Sequence, residues 1–278
     1  MKIFEYVRNK FHPLWRIRRI KWLHRFLSSI DFQCSFIDKY TGFKIFIYWY
    51  RDFPFLLSNN YIFEKEVKDA MILILKFENI SIFWDLGGNI GYYSLLISSL
   101  LPKCEIVAFE PFKKNIDLFT RSINHNKITN INLIGKAVSN KTGMKEFVVD
   151  DLSGATGQFF SLLREDDLYQ ISNAYGLRRT IHVETIKLDE LIDNGFPIPD
   201  LMKVDIEEAE GLMFQGAQKI IERKETIIII ETFNINIINL FKKNGYVIFI
   251  IDDNSNYIFI PKRSYRLVNQ FRKKYSEF

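Results

Sequence analysis

The stretch FWDLGGNIGYYS, residues 83–94, most constrains what this chain can fold into. An apolar run ends in Asp85, a nearly side-chain-free stretch follows (Gly87, Gly88, Asn89, Gly91), and an apolar run resumes at once. That order reads as a buried strand turning sharply into a helix, with free helical N–H groups facing whatever lies beyond the strand end. Glycines permit the turn and let a ligand touch backbone. Taken alone, the glycines also fit a tight turn with no ligand.

From residue 80 onward apolar strand-like runs and amphipathic segments alternate. The expected strands are 80–86, 104–109, 131–138, 201–206, 226–231, 246–251 and 257–261, and the expected helices 92–101, 113–126, 207–223 and 235–244. Such β-α alternation implies a mostly parallel sheet covered on both faces. The last two strands are joined by DDNSN, too short for a crossover, so they pair antiparallel. The fold class is therefore α/β: a mostly parallel seven-stranded sheet with one antiparallel strand, the outline of Rossmann-like methyltransferases. Residues 1–78 read as an N-terminal cap: a basic amphipathic helix over 14–28, a hairpin (32–38 with 43–50, turning at Gly42) and a helix over 61–77. The expected organisation is cap 1–78, catalytic domain 79–261 and basic tail 262–278. Residues 139–200 form an insertion or lid with a hairpin of 145–149 and 181–188, and SGATG (153–157) as a candidate hinge.

A second acid narrows the ligand. Glu110 closes EIVAFE, the second core strand, at about the ~20-residue spacing where a carboxylate accepts the two ribose O–H groups of a nucleoside. The turn reads D-x-G-x-N-x-G and lacks the third glycine of the pyrophosphate fingerprint. Asp85 is an unwelcome neighbour for a pyrophosphate and a good one for a sulfonium and an ammonium. S-adenosylmethionine fits better than a nicotinamide dinucleotide.

DLGGNIGYYS (85–94), AFEPFKKN (108–115), KAVSNKTG (136–143), IKLDEL (186–191) and KVDIEEAE (203–210), in this order, resemble the FkbM family of S-adenosylmethionine-dependent methyltransferases. The resemblance spans roughly residues 60–232. It implies an O-methyltransferase acting on a hydroxyl of a sugar, glycan, glycolipid or secondary metabolite. By position it implies that Asp85, Gly87, Gly88, Asn89 and Gly91 hold the amino-acid end of the cofactor, that Glu110 holds its ribose, and that Ala137 and Val138 border its adenine. The family usually has Ala at Gly88 and Gly at Glu208.

Methyl transfer needs an aligned hydroxyl and a proton acceptor. Asp205, with Glu207 and Glu210 after it, stands at the exit of the fourth strand, and Glu231 at the exit of the fifth in IIIIETFN. Asp205, Glu207 and Glu231 are the candidate catalytic groups. Two carboxylates on adjacent strands would also suit a divalent cation, although carboxylates alone are a poor metal signature. Hydrogen bonding to backbone is the competing role. The histidines (His12, His24, His125, His182) read as solvated or structural, with His182 nearest the insertion.

The net charge of +5 is unevenly spread. Residues 1–30 carry eight Lys or Arg against one acid (+7) and residues 261–278 six against one (+5), which leaves −7 for the body. An acidic body opposes a nucleic-acid methyltransferase, and no Asn-Pro-Pro-aromatic motif is present. The basic helix, with Trp15 and Trp22, fits either an anionic membrane surface or a docked helix with solvated arginines. A degenerate, non-enzymatic membrane-surface protein is the remaining alternative. Two cysteines without metal or redox spacing, and no run of ~18 apolar residues, give a cytoplasmic expectation, peripheral to the membrane's inner face if the helix binds lipid.

Overall fold

The computed structural model describes residues 21–52, 64–150, 157–162, 178–252 and 256–278. Most of the basic N-terminal segment, including Trp15 and His12, and most of the SGATG stretch lie outside the described residues.

Two sheets organise the chain. The larger is built from β3 (Ile82–Leu86), β4 (Glu105–Phe109), β5 (Ile131–Ile134), β10 (Leu201–Val204), β11 (Ile227–Glu231), β12 (Tyr246–Ile250), β13 (Asn256–Pro261) and β14 (Ser276–Glu277), in the order β14-β12-β13-β11-β10-β3-β4-β5. β3, β4, β5, β10 and β11 run parallel, while β13 pairs antiparallel with both β11 and β12. The sheet thus has eight strands and two antiparallel members, not seven and one. The addition is β14, which pairs antiparallel with β12 at the edge. Residues 262–278, expected as a tail, carry it together with α9 (Tyr265–Arg272), whose Leu267, Val268 and Phe271 are buried.

Alternation along the strands covers both faces, as the two-residue period requires. Phe83 of β3 and Ile229 of β11 enter one core with Met71, Leu95 and Phe119. Trp84, Leu86, Ile228 and Ile230 enter the other with Met213, Phe214 and Phe241. The covering helices are α2 (Lys65–Phe77), α3 (Tyr92–Leu100), α4 (Lys113–His125), α6 (Glu210–Gln215), α7 (Gln218–Arg223) and α8 (Ile235–Lys243).

The expected strand 131–138 is two strands in different sheets. β5 stops at Ile134, and β6 (Ala137–Ser139) joins β7 (Gly143–Asp150), β8 (Gly157–Phe159) and β9 (Arg178–Lys187) in a second sheet of order β6-β9-β7-β8. The expected insertion hairpin is β7 against β9, with Lys145 opposite Val183. The expected helix 207–223 is also broken. Glu207 and Glu208 take positive φ (49° and 66°), so the helix cannot start before Ala209. Asp189, on α5 (Leu188–Asp193), then accepts the N–H groups of Gln218 (3.1 Å) and Lys219 (3.0 Å), which starts α7 as a separate helix.

The hairpin of β1 (Gln33–Ile37) and β2 (Lys44–Tyr48) turns at Gly42, φ 70°, and follows α1 (Lys21–Ser29). Its β2 edge is closed by side chains of α4: Asn126 Oδ1 accepts from Lys44 N–H (2.9 Å), Asn126 Nδ2 donates to Lys44 O (2.8 Å), and Ser122 Oγ accepts from Phe46 N–H (3.0 Å).

Candidate active site

The cleft lies beyond the carboxyl ends of β3, β4 and β10, where an open parallel sheet binds its ligands. It contains about 710 Å³ of space, part of it open to solvent, and is lined by Gly87, Asn89, Glu110, Asp205 and Glu207, with an apolar wall that includes Phe112, Ala137 and Val138. The second sheet supplies the roof through Phe147, Val149, Gly157 and Phe159. Phe147 and Phe159 meet edge to face, 5.6 Å between centroids.

The floor is the glycine turn. Gly87 and Gly88 N–H both donate to Phe109 O (3.0 and 2.9 Å), which ties the turn to β4. Gly87 has φ 82°, and a Cβ there would lie 1.9 Å from the Asp205 carbonyl oxygen; only glycine lets β10's exit approach this closely. Gly91 has φ 89°, and a Cβ would overlap the buried Phe119 ring at 2.2 Å. Asp85 is buried beneath the turn: its Oδ2 accepts from Ser94 N–H (3.1 Å) and Ser94 Oγ–H (2.6 Å), so it anchors α3 and does not line the cleft. Burial raises its pKa, against the pull of Lys203.

Glu110 is buried, with Oε2 accepting from Asn89 N–H (2.8 Å) and Oε1 from Phe112 N–H (2.8 Å) and Asn115 Nδ2 (3.3 Å). Burial pushes its pKa up to about 7, opposed by those three hydrogen bonds. Asn89 sits at φ 50°, and its Oδ1 is buried without a hydrogen-bond partner while the residue lines the cleft. An orphaned acceptor is costly in a closed protein and ordinary in a binding site awaiting a donor.

At the exit of β10, Asp205 and Glu207 line the cleft, and Glu208 Oε2 accepts from Gln158 Nε2 of the roof (3.1 Å). Glu208 stands where the resembling family has Gly, and its φ of 66° supplies the physical reason for that preference. Glu210 is buried, accepts from Thr232 Oγ1–H (3.3 Å) and has its pKa pushed to about 7 by burial. Glu231 ends β11, half-buried, with its pKa raised to about 8 by burial and by the charges of Asp205, Glu64 and Glu207.

Three groups that sequence reasoning missed surround this floor. Lys203, within LMKV, is 6 % exposed, and its Nζ donates to Asp205 Oδ2 (2.8 Å) and sits 4.7 Å from the Tyr93 ring centre. Burial lowers its pKa, but Asp205, Glu64 and Asp85 together hold it above the usual lysine value. Tyr93 donates its O–H to Glu64 Oε2 at 2.5 Å, and burial raises the Glu64 pKa. A lysine inside an otherwise apolar strand was the available signal, because such a charge is rarely buried without partners. Glu64 and Tyr93 carried none.

Among the described residues no group of three or more His, Cys, Asp or Glu is placed to hold a metal ion. A divalent cation at Asp205 and Glu231, weighed as a possibility from the sequence, therefore has no support, and Asp205 is paired with Lys203. His125 packs against Phe46, and His182 lies exposed on β9 opposite Glu146.

The strand order, the glycine turn and the acidic residue closing β4 define a Rossmann-like methyltransferase. Residues 85–248 match the methyltransferase FkbM domain, and the chain belongs to that family of S-adenosylmethionine-dependent methyltransferases. It is 24% identical over 159 residues to the hexuronic acid methyltransferase AglP of Haloferax volcanii, covering 57% of this chain and 59% of that protein. The chain thus spans about three-fifths of the length of that relative. Among solved structures it is similar to a methyltransferase FkbM from Methylobacillus flagellatus (15% identity, TM-score 0.44, 90% of this chain and 60% of the other). It is also similar to a precorrin-6y C5,15-methyltransferase from Geobacter metallireducens (14%, TM-score 0.40, 69% and 86%).

Proposed function

We propose that this chain transfers a methyl group from S-adenosylmethionine to a hydroxyl of a sugar, most simply one in a glycan or glycolipid. The observation that carries the proposal is a cleft with two chemically distinct halves. One half has a carboxylate and an apolar wall, which suit a nucleoside (Glu110, Phe112, Ala137, Val138), with the orphaned amide oxygen of Asn89 on the turn beside it. The other is bordered by Asp205 and Glu207, with Glu231 on the next strand, and carboxylates are natural acceptors for the O–H groups of a polyhydroxylated substrate. A relative described as a hexuronic acid methyltransferase supports the same acceptor class.

In this proposal Glu110 accepts the ribose hydroxyls, and the Gly87–Gly91 turn with Asn89 receives the amino-acid end. Bound S-adenosylmethionine supplies an electrophilic methyl carbon on a sulfonium. Asp205, Glu207 and Glu231 align the acceptor hydroxyl and take its proton. The proposal includes no cation.

Calorimetric titration with S-adenosylhomocysteine and, separately, NAD tests the cofactor half on wild type and Glu110→Ala. S-adenosylhomocysteine binding that weakens at least ~10-fold in the variant, with no NAD binding, is expected from the loss of charged hydrogen bonds. No binding to folded wild-type protein sinks the proposal. A methyl-transfer screen over uronic-acid and neutral-sugar glycans then tests the acceptor class.

We also propose that the acceptor is met at an anionic membrane surface. Supporting this, Trp22, Phe26 and Ile30 lie 71 %, 55 % and 47 % exposed along and just past α1, beside the basic N-terminal sequence. No described helix is long and apolar enough to cross a membrane.

A further inference from the structure

The segment before residue 85 lies outside the matched domain, yet it reaches the floor of the cleft. Glu64 is the N-cap residue of α2 at φ 42°, but its side chain does not cap that helix. Instead it accepts the Tyr93 hydroxyl, and the Tyr93 ring lies against the ammonium of Lys203. Lys203 in turn holds Asp205 and lies beside Asp85 in the β10–β3 register. One buried cation therefore joins the N-terminal segment, the first strand and the fourth.

Burying that ammonium is expensive and is offset only by several well-placed partners. Their positions show what the arrangement holds in place. Asp205 O fills the space a Gly87 Cβ would need, and Asp205 N–H donates to Leu86 O (3.0 Å), so any movement of Asp205 is transmitted to the glycine turn. Without the cation, Asp85, Asp205 and Glu64 are left as neighbouring carboxyl groups under that turn. The nucleoside half is held through Glu110, whose Oε1 accepts from Phe112 and Asn115 and whose Oε2 meets the turn at Asn89 N–H (2.8 Å), away from Lys203.

We propose that Lys203 is a positioning residue for the amino-acid end of the cofactor: by tying Asp205 to the Tyr93–Glu64 pair it fixes the Gly87–Asn89 turn against the exit of β10. The inference rests on the S-adenosylmethionine reading of the cleft. It makes Glu64, delivered by the N-terminal segment, a supporting member of the site.

The test compares S-adenosylhomocysteine with 5′-methylthioadenosine, which keeps the adenosine and sulfur but lacks the amino-acid arm. Calorimetry is run on wild type, Lys203→Met, Lys203→Arg and Tyr93→Phe. Lys203→Met is expected to weaken S-adenosylhomocysteine at least ~10-fold while moving methylthioadenosine less than about twofold, and Lys203→Arg to recover most of the loss. Tyr93→Phe, which keeps the ammonium but releases Glu64, is expected to give the same selective loss at about threefold. If Lys203→Met does not fold, the selectivity of Tyr93→Phe and Glu64→Gln decides. Equal weakening of both ligands, or unchanged S-adenosylhomocysteine binding, overturns the inference. Wild-type protein that binds methylthioadenosine but not the longer ligand overturns it too, whereas binding of neither overturns the cofactor reading itself.

Discussion

At the scale of single residues, environment decides what the acids of the cleft can do. Glu110 is raised to about 7 by burial, and in the proposed cofactor pose only its ionised form would accept both ribose O–H groups. S-adenosylhomocysteine affinity is therefore expected to rise with pH through about 7 and to level off above it. Glu110→Ala should flatten that profile, which calorimetry at pH 6, 7 and 8 measures. Glu231 has the opposite consequence for stability. Its carboxyl stays neutral in the fold up to about pH 8 but ionises near its ordinary 4.5 in the unfolded chain, so its contribution favours the fold below 4.5 and is lost as pH rises to 8. Glu231→Gln should accordingly raise the melting temperature relative to wild type more at pH 9 than at pH 5, by a few degrees on a scale of ~2–4 °C per kcal/mol. The places of Gly87, Asn89 and Glu110 around the cleft were legible in the sequence because spacing after a strand fixes them. Burial of Asp85 under its own turn was not, because it depends on Ser94. The Lys203–Asp205 pair lay within reach of the strand's two-residue period, but its link to Tyr93 and Glu64 did not, because those come from α3 and from the residue before α2.

At the scale of elements, the seam between β3 and β10 has no room for a side chain at Gly87. Gly87→Ala would press a Cβ to 1.9 Å from the Asp205 carbonyl oxygen at φ 82°, and the two nearest atoms are backbone, which cannot swing aside. Loss of S-adenosylhomocysteine binding and destabilisation by more than ~2 kcal/mol are expected, read by calorimetry and by chemical denaturation. At Glu208 the direction reverses. Glycine relieves a left-handed backbone worth roughly 1–2 kcal/mol, less about 0.5–1 kcal/mol for glycine's greater unfolded-state entropy. Glu208→Gly should thus melt no lower than wild type even though it loses the Gln158 hydrogen bond, which is exposed. The order of core strands and helices followed from apolar periodicity. The breaks did not: 131–138 splits because Glu110 N–H and Lys136 N–H both bond to Ile134 O (3.2 and 2.8 Å), and 207–223 splits because Asp189, distant in sequence, caps its second half.

At the scale of the whole molecule, the N-terminal hairpin buries Ile45 and Ile47 in the core and is tied along its β2 edge to α4 and to Asn126, which ends it. Asn126→Ala removes both reciprocal bonds to Lys44 and should cost about 1–3 kcal/mol, measured by denaturation. The charge asymmetry makes a separate prediction: binding to anionic vesicles should fall steeply with salt, and a chain lacking residues 1–30 should pellet much less. Equal pelleting of both forms would sink the role of the basic helix. The larger consequence lies in how the second sheet is joined to the first. β6 and β9 run side by side, Ser139 opposite Lys187, so the chain leaves for the roof and returns from it at almost one point. Everything between those residues is a closed excursion whose length can change at little entropic cost to the sheet beneath. The roof can therefore be lengthened or shortened as a cassette that reshapes the cleft from above, while the glycine-turn floor keeps its own anchorage to β4.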